Sequence, residues 1–228
     1  MHERLPVANR THCTDAVRPG PGVFTRRVFC ALTMLVAAAG LGAGSIGMAP
    51  EPDPVPRRWE LQIDPSALHV TSVNVPNVGA KSYIYMTYKA VNNSGQDVLF
   101  APAFELSLGD GTVARSGRDV PQAVTAELVK RTQNSFIQDQ IAIIGDILQG
   151  EEHAKEGIVI WPLTNFEPSE VTIYAAGFSG ESKSVSSPDG KEKFVLRKTL
   201  RLDYSPRGDL TSSSSQAMEV QNRQWIMR

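Results

Sequence analysis

From residue 59 onward, apolar and polar residues alternate with a period of two in one segment after another. Trp59, Leu61 and Ile63 alternate with Glu60, Gln62 and Asp64, and residues 83–91 place Ile84, Met86, Tyr88 and Ala90 on one face. Phe104, Leu106 and Leu108 alternate with Glu105 and Ser107, and Val171–Ala176 follows the same rule. The clearest run is Lys193–Tyr204. There Phe194, Leu196, Leu200, Leu202 and Tyr204 oppose Lys193, Arg197, Arg201 and Asp203, with Lys198 as the one exception on the apolar face. Successive side chains of a strand point to opposite faces, so this pattern predicts antiparallel sheets with one face packed and one wet. Leu68–Val75 reads as a weaker strand, and 157–161 as a short buried one.

The turns agree with this reading. Asn92-Asn93-Ser94-Gly95 separates the tyrosine-rich strand from a short one at 97–101, and Asp110-Gly111 predicts a hairpin between 104–108 and 112–116. Glycine there supplies the positive φ that a tight turn needs. The alternation lapses over 122–148, where Val124, Leu128, Ile137, Ile141, Ile144 and Leu148 recur at spacings near three to four. With Asp119 as N-cap and Pro121 in the first turn, this predicts one or two short helices inserted between strands. About seven or eight short strands with turns between them predict an all-β fold, an immunoglobulin-like antiparallel β-sandwich with a helical insertion at about 120–148. The polar tail, 205–228, contains a four-serine run and reads as loose until 224–227, which can add an edge strand.

Ahead of this body the pattern is different. Residues 28–48 carry no charge and directly follow Arg26 and Arg27. A basic stretch, an apolar stretch and then small residues is the layout of a secretory signal, because arginines stay on the cytoplasmic side while the apolar run partitions into the bilayer. Thr25-Arg26-Arg27-Val28-Phe29 also resembles the twin-arginine export signature, so both that route and general secretion stand open. Small residues allow cleavage after Gly44 or Ala49, with Pro50 disfavouring the second. The alternative is an uncleaved anchor, since 21 residues suffice to span a bilayer. The expected layout is a leader at 1–49, a spacer at 50–58 stiffened by four prolines, the sandwich at 59–204 and the tail.

Charge and cysteine usage narrow the classes of chemistry. The chain has 228 residues with 23 basic and 24 acidic groups. Five arginines fall in the first 27 residues against Glu3 and Asp15, leaving 18 basic and 22 acidic groups and a net charge of −4 beyond them. An acidic body is a poor partner for nucleic acid, whose binding relies on neutralising phosphates. Both cysteines, Cys13 and Cys30, belong to the leader, so the body has no disulfide, no thiolate nucleophile and no sulfur-ligated zinc site.

The stretch from Tyr83 to Glu181 resembles bacterial extracytoplasmic immunoglobulin-like domains. The resemblance rests on Tyr85-Met86-Thr87-Tyr88-Lys89-Ala90-Val91-Asn92-Asn93-Ser94-Gly95, on Phe104-Glu105-Leu106 with Asp110-Gly111, on Leu148-Gln149-Gly150-Glu151, and on Gly157-Ile158-Val159-Ile160-Trp161-Pro162. It implies a sandwich fold and no catalytic residue. The helical stretch before Leu148 departs from the simplest version of that family and leaves the strand order open.

Candidate chemistry is sparse. Glu151, Glu152 and His153 form the richest ligand cluster, and a metal site would need three or four such donors to converge at about 2.0–2.2 Å. On an extended loop neighbouring carboxylates point apart, and a solvated turn before the 157–161 strand is the competing reading. His69 falls in a strand and reads as a surface or edge residue. Asp110 and Gly111 lack the further oxygens a calcium loop requires. Arg207-Gly208-Asp209 reads as a turn in the tail, and Asn92-Asn93-Ser94 as a turn rather than a glycosylation site. Tyr83 and Tyr85 lie on the outward face of their strand; there they bind a glycan or protein partner, or pack beneath the helical insertion.

Together these features predict a non-enzymatic exported protein of the cell envelope, outside the cytoplasm, with an interaction or structural role. No cofactor is expected, the membrane is contacted only through the N-terminal segment, and the partner is an envelope protein or glycan. The alternatives are a metal-dependent or carboxylate-based hydrolase using Glu151, Glu152 and His153, and a glycan or small-ligand binder using the tyrosines.

Overall fold

The period-two segments are strands, and they assemble into two large sheets with a helix against the outside of one. The computed structural model describes residues 49–163, 170–205 and 217–228. The apolar segment 28–48, the Arg207-Gly208-Asp209 triplet and the serine run lie outside the described residues. Among the described residues, no helix is long and apolar enough to cross a membrane.

Among the described residues the strands are, in chain order, β1 (Gln62–Pro65), β2 (Leu68–Val75), β3 (Gly79–Asn92), β4 (Val98–Phe100), β5 (Ala103–Leu108), β6 (Val113–Arg115), β7 (Ile137–Gln138), β8 (Gly145–Ile147), β9 (Gly150–Pro162), β10 (Val171–Ala176), β11 (Ser182–Ser186), β12 (Lys193–Tyr204), β13 (Ala217–Met218) and β14 (Val220–Met227), with a helix, α1 (Gln122–Thr132), between β6 and β7. In the first sheet β1 and β2 pair with successive parts of β3, antiparallel to it, and β9 pairs along β3 as well. The short strand β7 runs parallel to β9, and β13 pairs with β2. The second sheet runs β6-β5-β10-β12, all antiparallel, with β11 paired to the first half of β12 and β14 to its second half. A separate two-stranded sheet joins β4 to β8.

Alternation decides what each face does. Ile84, Met86, Tyr88 and Ala90 of β3 pack with Phe104 and Leu106 of β5, Ile173 of β10, and Leu200, Leu202 and Tyr204 of β12 in the core between the sheets. A second core lies on the outer face of the first sheet, where Val124 and Leu128 of α1 cover Val73, Val75, Tyr83, Ile158 and Ile160. β9 is therefore buried on both faces at 158–161. Val159 and Trp161 point into the main core while Ile158 and Ile160 lie in the second cluster. That accounts for a run of four apolar residues without alternation.

The middle segment differs from its expected form. Only one helix forms, and Pro121 rather than Asp119 occupies the N-cap position; Asp119 itself sits at φ 60° in the turn before it. The helix stops at Thr132 because Gln133 takes the left-handed conformation and its amide bonds back to Lys130. Lys130 and Arg131 complement the C-terminal end of the helix, and Arg131 also bonds the Ser72 carbonyl of β2 at 3.2 Å. Beyond it the buried positions are Ile143 and Ile147, while Ile141, Ile144 and Leu148 are exposed. The apparent helical period did not continue past residue 132.

The hairpins follow their turn residues. Gly111 has φ +85°, and the Asp110 carboxylate accepts the Thr112 amide at 2.8 Å between β5 and β6. Asn92 is fully buried, and its side-chain amide bonds the carbonyls of Gln96 and Ile147, each at 2.8 Å, which ties the β3–β4 turn to β8. The expected edge strand at 224–227 is longer, running from Val220, and it lies against β12.

Candidate functional site

Lys198 is the residue that broke the apolar face of β12, and its surroundings explain how it is tolerated. It is 3% exposed. A buried ammonium needs compensation, and two carboxylates supply it: Nζ lies 2.8 Å from Oε2 of Glu60 and 3.3 Å from Oε2 of Glu181. Its charge also sits 5.4 Å from the ring centre of Trp225 on β14, within cation–π range. Burial works to lower the Lys198 pKa, but the bonds and charges of Glu60 and Glu181 outweigh it and hold the group above its ordinary value of 10.5.

Each partner arrives by its own backbone device. Glu60 precedes β1 and forms a lone antiparallel bridge with Ser179, flanked by the Leu61 amide bonding the Phe178 carbonyl and the Gly180 amide bonding the Trp59 carbonyl. Glu181 follows Gly177 and Gly180 in the bend between β10 and β11. Gly177 has φ +88°, and a Cβ there would fall 2.5 Å from the Ala101 carbonyl oxygen, so the bend depends on glycine. The Lys198 amide bonds the Glu181 carbonyl at 3.0 Å, which sets the two side chains beside each other.

The cluster continues outward to the proline-rich stretch. Oε1 of Glu181 accepts the Asp53 amide at 2.9 Å and lies 3.7 Å from Lys183 Nζ. Lys183 in turn donates to the Asp53 carboxylate at 3.1 Å and to the Glu51 carbonyl, and Arg57 reaches the same carboxylate at 3.3 Å. Burial raises the Glu181 pKa, but the Asp53 amide and Lys198 together bring it below 4.5; Lys183 holds Asp53 below 3.8. The proline-rich segment is thereby bound along the sandwich rather than standing free of it. Three cations (Lys198, Lys183, Arg57) meet three carboxylates (Glu60, Glu181, Asp53), and the cluster is neutral within itself.

An open cleft of about 920 Å³ adjoins this cluster and shares Arg57 and Glu60 with it. Its aromatic walls are Trp59 and Trp225, both partly exposed. Trp59 packs on Gly180, where an added Cβ would fall 2.6 Å from the indole nitrogen. Arg57, Arg58 and Arg223 add positive charge, and Gln62, Asn93, Ser94 and Gln96 add neutral polar groups from β1 and the β3–β4 turn. Arg223 is steadied by a 2.7 Å bond to the Ile63 carbonyl. Among the described residues neither Arg58 nor Arg223 pairs with a carboxylate.

The residues singled out from the sequence lie elsewhere. Tyr83 is buried beneath α1, so it offers no binding surface. Of the two readings of this outward face, Tyr83 follows the second, packing beneath the helical insertion. Tyr85 is half-buried and stacks on His69 with ring centres 5.3 Å apart. His69 is no edge residue, since β2 is flanked by β3 and β13 at that position; burial lowers its pKa below 6.5. Glu151, Glu152 and His153 are exposed but lie on β9, not on a solvated turn. Successive strand positions face opposite ways, and Glu151 is engaged with Lys89 at 3.0 Å. Among the described residues no group of three His, Cys, Asp or Glu side chains converges as metal ligands. The convergence that a metal-dependent or carboxylate-based hydrolase built on these three residues requires is therefore not present.

Of the new site, only Lys198 left a signal in the sequence, as a charge out of phase with its strand. No protein family, no curated protein and no solved structure matches the chain.

Proposed function

We propose that this chain is an exported, non-enzymatic module of the cell envelope, an immunoglobulin-like sandwich that binds its partner through the tryptophan–arginine cleft. The observation that carries the reading is the convergence of three separate segments on one cleft. Residues 56–62, the turn at 93–96 and β14 bring two tryptophans and three arginines to the same place on a hydrogen-bonded scaffold. Tryptophan and arginine are the side chains that most often dominate binding energy at recognition surfaces. Binding residues held by strands and short turns lose little entropy when a ligand arrives.

Two further features support the proposal. The strand orders β1/β2-β3-β9 and β6-β5-β10-β12 correspond to the A-B-E and C′-C-F-G sheets of immunoglobulin domains. Glu181 lies below its ordinary pKa, brought there against burial by the Asp53 amide and Lys198, which suits a structural anion and not a general acid or base working near neutrality. The basic and apolar leader supports the export part of the reading.

The test has three parts. A fusion of the leader to a phosphatase that is active only outside the cytoplasm should give activity. The purified chain should sediment with isolated envelopes, and the double variant Arg58→Ala/Trp225→Ala should not. Turnover of common ester, peptide or glycoside substrates by the purified chain would overturn the non-enzymatic reading.

A further inference from the structure

We infer that the cleft takes an acidic polysaccharide, a chain of sugars bearing carboxylates; the inference rests on the cleft reading above and names its ligand. The charge balance points to an anion. The six-membered cluster adjoining the cleft is neutral, so Glu60, the one acidic residue of the cleft lining, is already matched by Lys198 at 2.8 Å. Among the described residues Arg58 and Arg223 are therefore surplus positive charge on the lining. A guanidinium presents a planar fork of donors that matches a carboxylate.

The rest of the lining points to a sugar. Trp59 and Trp225 offer flat, partly exposed rings that suit the apolar face of a pyranose, while Gln62, Asn93, Gln96 and Ser94 carry both donors and acceptors to suit its hydroxyls. The space, about 920 Å³, lies within the range of ligand sites, about 300–1,000 Å³, and it is open rather than enclosed, which lets a polymer run through. A single-stranded nucleic acid also uses aromatic platforms with basic grooves. It carries a phosphate at every residue and calls for a track of cations, whereas the chain beyond residue 27 has 18 basic and 22 acidic groups. Two arginines on a lining otherwise supplied with neutral amides and a hydroxyl fit a uronate polymer better, since its carboxylates ride on sugars whose own hydroxyls can meet those groups.

The experiment is titration of the purified full chain, followed by tryptophan fluorescence and calorimetry, with polygalacturonate, alginate and hyaluronate. Fully methyl-esterified polygalacturonate and an oligo-dT strand serve as comparisons. At least one polyuronate should bind, and Arg58→Gln should weaken it by about tenfold or more, the loss expected for one charge-assisted bond. For polygalacturonate, esterification should have a similar effect. Trp225→Phe should reduce affinity while leaving the charge dependence in place. An unchanged melting temperature in Arg58→Gln assigns its loss to binding and not to folding. Equal binding of the ester would overturn the acidic class, and tighter binding of oligo-dT would make the cleft a nucleic-acid site. If no polyuronate binds but the cleft variant still abolishes sedimentation with envelopes, the ligand class is wrong and the binding module stands. If sedimentation is unaffected as well, both fail.

Discussion

Replacing Lys198 by methionine keeps the unbranched stem that crosses the β12 face and removes only the charge. Glu181, with a side chain 6% exposed, then keeps Lys183 at 3.7 Å and the Asp53 amide at 2.9 Å, but loses its nearest cation. Glu60 loses its only cation among the described residues, though at 24% side-chain exposure it can turn partly toward water. Breaking a buried pair by removing one partner costs about 3–5 kcal/mol, and the partial relief open to Glu60 places this case near about 3 kcal/mol. For a domain of this size that lowers Tm by roughly 6–12 °C. Urea unfolding followed by circular dichroism measures the loss. The variant Glu60→Gln/Lys198→Met/Glu181→Gln, which removes all three charges, should recover at least half of it, because the penalty lies in uncompensated anions. The pH dependence adds a second check. Glu181 and Asp53 have folded pKa values below 4.5 and 3.8, so their stabilisation is present above those values and lost as pH falls through the lowered ones. Lys198 is raised, so its contribution is present below 10.5 and lost as pH climbs through the raised value. The gap between wild type and Lys198→Met should therefore narrow below about pH 4.5, where protonation relieves the stranded Glu181. A methionine variant within about 0.5 kcal/mol of wild type, a range typical of ordinary surface changes, would refute the reasoning.

Three other outcomes are expected. Leu128→Ala should cost about 2–5 kcal/mol in chemical unfolding and raise the exposure of Tyr83 to nitration, since Leu128 is fully buried in the second core. Gly157→Ala should cost about 1–3 kcal/mol, because its Cβ would fall 2.5 Å from Tyr88 Cζ and 2.7 Å from Ile143 Cδ1 in the packed interior. His69 has a pKa lowered by burial, so its contribution is present above 6.5 and lost as pH falls; melts at pH 7.5 and 5.5 should show a drop that shrinks in His69→Gln.

The fold was far more legible than the site, for a reason that particular residues make plain. Alternation is a local signal, and Ile84, Met86, Tyr88 and Ala90 declare one buried face without reference to anything distant. The same logic left Tyr83 open between a binding surface and a packed face, because nothing within β3 says whether a helix almost forty residues later covers its other face. It also carried the helical period of Val124 and Leu128 too far. Ile137, Ile141 and Ile144 keep the spacing by coincidence, while a left-handed Gln133 ends the helix and β7 takes Ile137. Along β12 the alternation overstated burial as well, since Phe194 stands exposed in the half of that strand that pairs with β11.

The cleft was illegible because none of its parts is informative alone. Arg57 and Arg58 read as the end of a proline-rich spacer, and Glu60 as the wet side of a strand. Glu181 lay in a serine- and glycine-containing bend, Arg223 in a polar tail, and Trp225 in the edge strand expected at its end. Only the out-of-phase Lys198 announced a requirement, since a charge on an apolar face must be matched by something brought from elsewhere. Following that requirement through space leads from β12 to Glu60, to Glu181, and then to Asp53, which draws the proline-rich segment onto the sandwich. The buried lysine thus acts at a distance on recognition. By fixing Glu60 it orders the start of β1, and by holding Glu181 it fixes the segment that presents Arg57 and Arg58. A variant that loosens the cluster should therefore weaken ligand binding without touching a residue that contacts the ligand, and Lys183→Ala is the mildest such change.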